Sequence, residues 1–163
     1  MGRSGLLVSP ILADAVTEAG TSYYRLVLLV GPHGSGKTRV LRAASAENGW
    51  PVIQLGADIA RSLVELPPAR RSFAASEAVA TLVTGQTAKT VAVDNVEILF
   101  DPSLRLQPLD LLKQLSRSTT LIVAWPGTSD GTVLTYAEPG RPEYSTLDTT
   151  GVTVLPVEPI AYL

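Results

Sequence analysis

Cysteine is absent from this 163-residue chain, and histidine occurs once, at His33. The first absence excludes disulfides, thiol nucleophiles and Cys-ligated metals, and the second excludes a zinc site built on histidine. Charge is also scarce: Asp, Glu, Lys and Arg make up 17% of the residues, the net charge is −2 and the pI is about 5.4. There is no basic stripe to follow a phosphodiester backbone, which argues against direct nucleic-acid binding by the chain alone. A weakly charged surface instead leaves area for burial against a protein partner. No apolar run approaches the roughly 20 residues that span a bilayer. Residues 1–13 carry one arginine and no cleavage pattern after a long apolar run. The expectation is a soluble, cytoplasmic protein without membrane contact. The length suffices for a proper core. With no internal repeat and no linker, the reading is one domain over residues 1–163.

What is present is organised by Gly31-Pro32-His33-Gly34-Ser35-Gly36-Lys37-Thr38, which reads G-x-x-x-x-G-K-T. This is the phosphate-binding loop of P-loop NTPases. Glycines let the backbone coil so that several N–H groups converge on one anion, and side chains at Gly34 and Gly36 would crowd the phosphates. Lys37 reaches the β- and γ-phosphates as a point charge, and the Thr38 hydroxyl is a ligand for Mg²⁺. The loop must follow a strand and open a helix. The apolar run 25–30 supplies the strand, and residues 38–47 supply a helix stopped by Asn48-Gly49. The cofactor-binding set is therefore Gly31, Pro32, His33, Gly34, Ser35, Gly36, Lys37, Thr38 and Arg39. His33 occupies a variable position of the loop and has no catalytic role in this reading.

Around the loop, strands alternate with helices, which predicts an α/β fold with a parallel sheet. A helix is expected at 9–20, with Ile11, Leu12, Ala15, Val16 and Ala19 on one face. A second strand is expected at 51–55 and a helix at 57–66, broken by Pro67-Pro68. Arg70 and Arg71 follow as a solvated helix start, and a further helix covers 72–84. The third strand, 90–94, ends in Asp94. A hydrophobic strand ending in Asp is the Walker B pattern, which places a carboxylate where parallel sheets bind ligands. There Asp94 joins Thr38 in holding Mg²⁺. Asn95 comes next. It can orient a water but cannot take its proton, whereas Glu97 can. A helix at 108–117 leads to a fourth strand, 120–125, and a last strand spans 152–157. Between these two, residues 128–150 are rich in Gly, Thr, Ser and Pro. They read as a hairpin or ordered loop, with turns at Asp130-Gly131 and 139–142.

This succession of elements resembles the ATPase core of AAA+ proteins over almost the whole chain. The resemblance implies a five-stranded parallel sheet in the order 5-1-4-3-2, with helices on both faces. It places Asn95 where many such ATPases carry a water-polarising Glu. Trp125 stands where a small polar residue usually faces the γ-phosphate. The chain stops before the C-terminal lid of those proteins, so a lidless core is expected. More closely, the chain resembles the BrxF family of small P-loop proteins from type 3 BREX (bacteriophage exclusion) loci. The residues that carry this likeness are Ile53-Gln54-Leu55-Gly56-Ala57, Leu63-Val64-Glu65-Leu66-Pro67, the stretch 93–100, Ala124-Trp125-Pro126-Gly127 and Leu134-Thr135-Tyr136-Ala137.

The resemblance implies an ATP-binding protein with Mg²⁺ that acts as a weak ATPase or nucleotide switch, in a homo-oligomer or in a complex with other BREX proteins. The catalytic set is Lys37, Asn95, Glu97 and Arg117, the last as an arginine offered to a neighbouring subunit. Two other functions use the same loop. A small-molecule kinase would clamp its acceptor with Arg70, Arg71 or Arg141, and a scaffold would bind nucleotide for folding only. The motif itself does not select between adenine and guanine.

Overall fold

The run around residues 25–30 forms β1 (Leu26–Gly31), buried along its whole length. A strand with apolar residues on both faces is stable only when both faces are covered. The computed structural model of the protein, which describes residues 2–32, 34–129, 133–136 and 145–157, shows how that is achieved. The other strands of the main sheet are β2 (Val52–Gln54), β3 (Thr90–Asp94), β4 (Thr120–Pro126) and, last in the chain, β8 (Thr153–Pro156). They run in the order β2-β3-β4-β1-β8, and every pairing is parallel. Counted along the chain as five strands, this is the expected 5-1-4-3-2 order.

The two faces of the sheet are sorted by the period-2 alternation of strand side chains. Val27, Leu29, Ala92, Ile122 and Ala124 face α1 (Gly2–Ala19) and α2 (Lys37–Asn48), meeting Leu12, Val16, Val40 and Leu41. Leu28, Val30, Val93, Val123 and Trp125 face the other layer. That layer holds α3 (Leu55–Leu63), α4 (Pro68–Thr84) and α5 (Pro108–Leu115), whose buried residues Ile59, Val79 and Leu112 complete the second core.

Several boundaries differ from the sequence reading, each for a physical reason. The first helix begins at Gly2 rather than near Ser9 and carries Pro10 inside it. Only its second half shows the apolar periodicity that sequence reading detects. The third helix starts two residues early, directly after Gln54, which shortens β2. Pro68 opens α4 rather than ending the previous helix, because the missing N–H of a proline costs nothing in a first turn. Arg70 and Arg71 therefore lie within α4, and Arg71 Nε donates to the Leu66 carbonyl at 3.0 Å. Residues Val96–Phe100 form a short 3₁₀ turn, and α5 stops at Leu115, which leaves Arg117 in the turn beyond it.

The crossover from β4 to β8 takes the hairpin form of the two expected: β6 (Val133–Tyr136) pairs antiparallel with β7 (Ser145–Asp148), and β5 (Thr128–Ser129) adds a third strand on the other side of β6. Leu134 of β6 is 1% exposed and joins the Trp125 side of the core. After β7, two hydrogen bonds from Thr150 hold the Asp148 carboxyl below the usual carboxylate range. The turns expected at 130–131 and 139–142, with Arg141, lie outside the described residues, as does His33.

Trp125 connects these parts. It is fully buried, meets the Phe100 ring edge-on at 5.2 Å between centroids, and has an indole N–H without a hydrogen-bond partner among the described residues. Trp125→Ala should lower stability by about 3–5 kcal/mol in urea unfolding, the usual cost of emptying a large aromatic site. Trp125→Phe should cost less than half as much, because it also removes a buried unpaired donor.

Candidate nucleotide-binding site

The site lies where β1 gives way to α2. Gly34 (φ +82°) and Gly36 (φ +94°) adopt left-handed backbone conformations that L side chains rarely take. A Cβ built on either would meet nothing within 4 Å among the described residues beyond its chain neighbours, so the space beside both glycines is open. Between them Ser35 is buried, with its N–H donating to the Pro32 carbonyl at 3.1 Å. Lys37, Thr38 and Arg39 form the first turn of α2, whose N–H groups have no carbonyl partners within the helix. Together with the helix dipole they make an anion site.

Lys37 is 7% exposed, and its Nζ makes a long 3.4 Å contact with the Pro32 carbonyl. A buried ammonium held this weakly is poised for a stronger, anionic partner. Opposite it stands Asp94, at the end of β3. Period 2 turns Val91 and Val93 toward α3 and α4, and so turns Asp94 toward the first turn of α2. Its Oδ1 accepts from Thr38 Oγ1 at 3.2 Å and from the Asn95 N–H at 2.9 Å. Its Oδ2 is buried and has no hydrogen-bond partner among the described residues. An unpaired carboxylate oxygen in such a place is costly unless a cation completes it. A carboxylate and a hydroxyl that share a cleft with a polyphosphate suit Mg²⁺, which takes few protein ligands and relies on phosphate and water for the rest. These two residues fit the metal that the sequence implies.

The cleft has a volume of about 630 Å³. Gly34, Gly36, Lys37, Thr38, Arg39, Asp94, Asn95 and Glu97, all expected from the sequence, line it. Asn95 has left-handed backbone angles (φ 59°, ψ 51°), which end β3 abruptly and start the 3₁₀ turn that carries Glu97. Trp125 does not face this cleft, since it points into the opposite core. Two residues were missed. Arg42 also lines the cleft; it lies four residues after Thr38, hence on the same helix face. Gln54 ends β2 in register with Asp94, and its Oε1 accepts a hydrogen bond from Asn95 Nδ2. The signal for Gln54 was its place at the carboxyl end of a parallel strand, where ligand sites gather.

Arg117 is not part of this cleft. The Arg25 N–H donates to the Ser116 carbonyl at 3.0 Å, which ties the turn to the start of β1, while the P-loop follows its end. At about 3.3 Å per residue, six strand residues separate the two by roughly 20 Å. There the Arg117 guanidinium lies 4.5 Å from the centroid of the Tyr23 ring. Neither Arg70 nor Arg71 lines the cleft either.

No family profile matches this chain, and no curated protein does. Solved structures do. A DNA replication initiation factor superposes over 97% of this chain and 47% of its own, at 19% identity and a TM-score of 0.53. PCH-2 of C. elegans superposes over 96% and 43%, at 16% identity and a TM-score of 0.51. DnaA from Aquifex aeolicus bound to AMPPCP aligns over 91% and 44%, at 18% identity and a TM-score of 0.48. The chain spans less than half the length of these structures. At such identities the first two likenesses show the fold alone, an α/β core with a five-stranded parallel sheet.

Lys37→Ala should remove most nucleotide affinity and leave the fold intact, because Lys37 faces the loop and not the apolar core. Titration of a fluorescent ATP analogue, with circular dichroism as the folding control, measures this. Unchanged affinity would contradict the assignment of the loop.

Proposed function

We propose that the protein binds ATP with Mg²⁺ and hydrolyses it slowly, as a nucleotide switch within a larger assembly. The observation that carries this reading is the Thr38–Asp94 pair beneath an open P-loop, with one buried oxygen of Asp94 unpaired. Thr38 and Asp94 would hold Mg²⁺, which would supply positive charge to neutralise the phosphates. The geometry supports the following contributions from the chain itself. The loop's N–H groups and Lys37 hold the phosphates, Asn95 orients a water, and Glu97, exposed at the cleft, takes its proton.

The rate is slow in this reading because the residue after Asp94 is an amide. Asn95 aligns water but is not a base, and Glu97 stands two residues further along a 3₁₀ turn. Glu97→Gln should therefore lower the steady-state rate of phosphate release more than Asn95→Ala does. A Glu97→Gln protein that hydrolyses at the wild-type rate would remove the base role.

Arg117 is assigned to the site of a neighbouring subunit, since its own cleft is out of reach. Arginines that stabilise a transferring phosphoryl group are worth about 10³–10⁵ in rate, in cis or in trans. The resemblance to BrxF-type proteins supports a bacteriophage-exclusion complex as the setting, with further copies of this chain or other proteins of the locus as neighbours. Rate per subunit should rise with protein concentration. Mixing Arg117→Ala with Lys37→Ala protein should restore activity that neither has alone. A flat rate, a monomer by sedimentation at every concentration and no rescue would point to a different protein as the neighbour.

A further inference from the structure

Helices α1 and α2 cover their face of the sheet with apolar contacts, but the pattern changes at the amino ends of the strands. Alternation places Arg25 with Val27 and Leu29, Thr90 with Ala92, and Thr120 with Ile122 and Ala124, all toward that helix layer. Thr90 pairs with Thr120 across β3 and β4, and the Leu121 N–H donates to the Arg25 carbonyl at 2.8 Å. The three residues therefore stand side by side on neighbouring strands. A polar row packed under apolar helix faces would be costly. Instead a cavity of about 620 Å³ lies over it, bordered by the second half of α1, by Asn48 at the end of α2 and by Trp50.

The charge in this cavity is of one sign. Arg25 and Lys89 line it, and no Asp or Glu does. Among the described residues neither cation is in an ion pair. The nearby helix ends, whose carbonyls attract cations, do not account for the pair, because the chain caps them itself. The N–H groups of Gly20, Thr21 and Ser22 donate to the Val16, Glu18 and Ala19 carbonyls. Those of Gly49 and Trp50 donate to the Ser45 carbonyl, and Asn48 Nδ2 donates to that of Ala44. Two like charges on one cavity, without a counter-charge, favour an anion there. Trp50 adds a half-buried indole, and Thr17, Thr90 and Ser118 add hydroxyls.

We infer that this cavity is a second ligand site, for a small phosphate monoester with a planar ring, of the mononucleotide class. Arg25 and Lys89 take the phosphate, the guanidinium fork suiting two of its oxygens. The ring lies against the Trp50 indole, and sugar hydroxyls meet the threonine and serine side chains. The site is separate from the P-loop cleft. Lys37 and Asn48 stand at opposite ends of α2, 12 residues or about 17 Å long, as Asp94 and Thr90 do on β3. Binding here requires no hydrolysis, so it stands independently of the function proposed above.

AMP is the probe, because a P-loop grips the β- and γ-phosphates that AMP lacks. Added to the full chain, it should shift the Trp50 indole N–H signal in NMR spectra, which is told from that of Trp125 by its absence in Trp50→Phe. By calorimetry, AMP affinity should fall about 10-fold or more in Arg25→Gln and in Lys89→Gln, the scale of a lost charge-assisted hydrogen bond, and stay unchanged in Lys37→Ala. Adenosine and inorganic phosphate should each bind more weakly than AMP by about the same factor. Lys89 is exposed, so Lys89→Gln decides the matter where circular dichroism shows Arg25→Gln to be unfolded. AMP affinity that falls in Lys37→Ala and holds in the other two variants would place AMP in the P-loop and overturn the inference. Adenosine as tight as AMP would overturn the role of the cations, and inorganic phosphate as tight as AMP would overturn the ligand class. No shift of the Trp50 signal at millimolar AMP would overturn the site altogether.

Discussion

The structure depends on keeping one carboxylate, that of Asp94, buried at the end of a central strand with one of its oxygens unpaired. Burying such a group costs several kcal/mol unless something opposite in charge or rich in donors completes it. Almost every element near the site serves that completion. The strand β3 carries Asp94 out of the core at its last residue. The P-loop delivers the Thr38 hydroxyl and the first turn of α2 to it, and Lys37 stands across the cleft with only a weak carbonyl contact. A buried cation and a buried anion that do not pair with each other describe a site for a third, charged group. A polyphosphate with its metal is a group that satisfies both.

The sheet makes this possible because it is covered on both faces. Helices α1 and α2 lie on the face toward which Asp94 points, and α3, α4 and α5 fill the other. Among the described residues, the return from β4 to β8 carries the small antiparallel sheet. Its Leu134 reaches the same core as Trp125, so the segment after the fourth strand is packed against the body. The strand that ends beside the cleft, β4, thus leads directly into a region with its own hydrogen-bonded structure.

Much of this was legible in the sequence, for identifiable reasons. The central strands are continuous apolar runs, which only burial on both faces explains, and β3 was bounded to the residue. Gly34, Gly36, Lys37, Thr38 and Asp94, singled out by type and spacing, line one cleft. What sequence could not reveal depends on contacts made across the fold. Pro67-Pro68 reads as a break, although only the first proline lies outside a helix. Within 128–150 a hairpin was among the forms expected, but the two-residue β5 is too short to show a period, and the burial of Leu134 is recognisable only once Trp125 is in place. The partnership of Gln54 with Asn95 joins residues 41 apart and follows from the register of two strands, which no local pattern encodes. Arg117 was placed on a longer helix than the one that forms, and its distance from the cleft follows from which end of the sheet the turn occupies.

The central claim is that Thr38 and Asp94 form a metal-dependent phosphate site. Calorimetric titration of ATP into wild-type and Asp94→Asn protein, each with Mg²⁺ and with the metal chelated, tests it most directly. Mg²⁺ should tighten ATP binding to the wild-type protein, and that gain should be lost in Asp94→Asn while the metal-free affinity is kept or rises. An equal Mg²⁺ gain in both proteins would contradict the account, because the unpaired oxygen of Asp94 would then have no part in holding the nucleotide's metal.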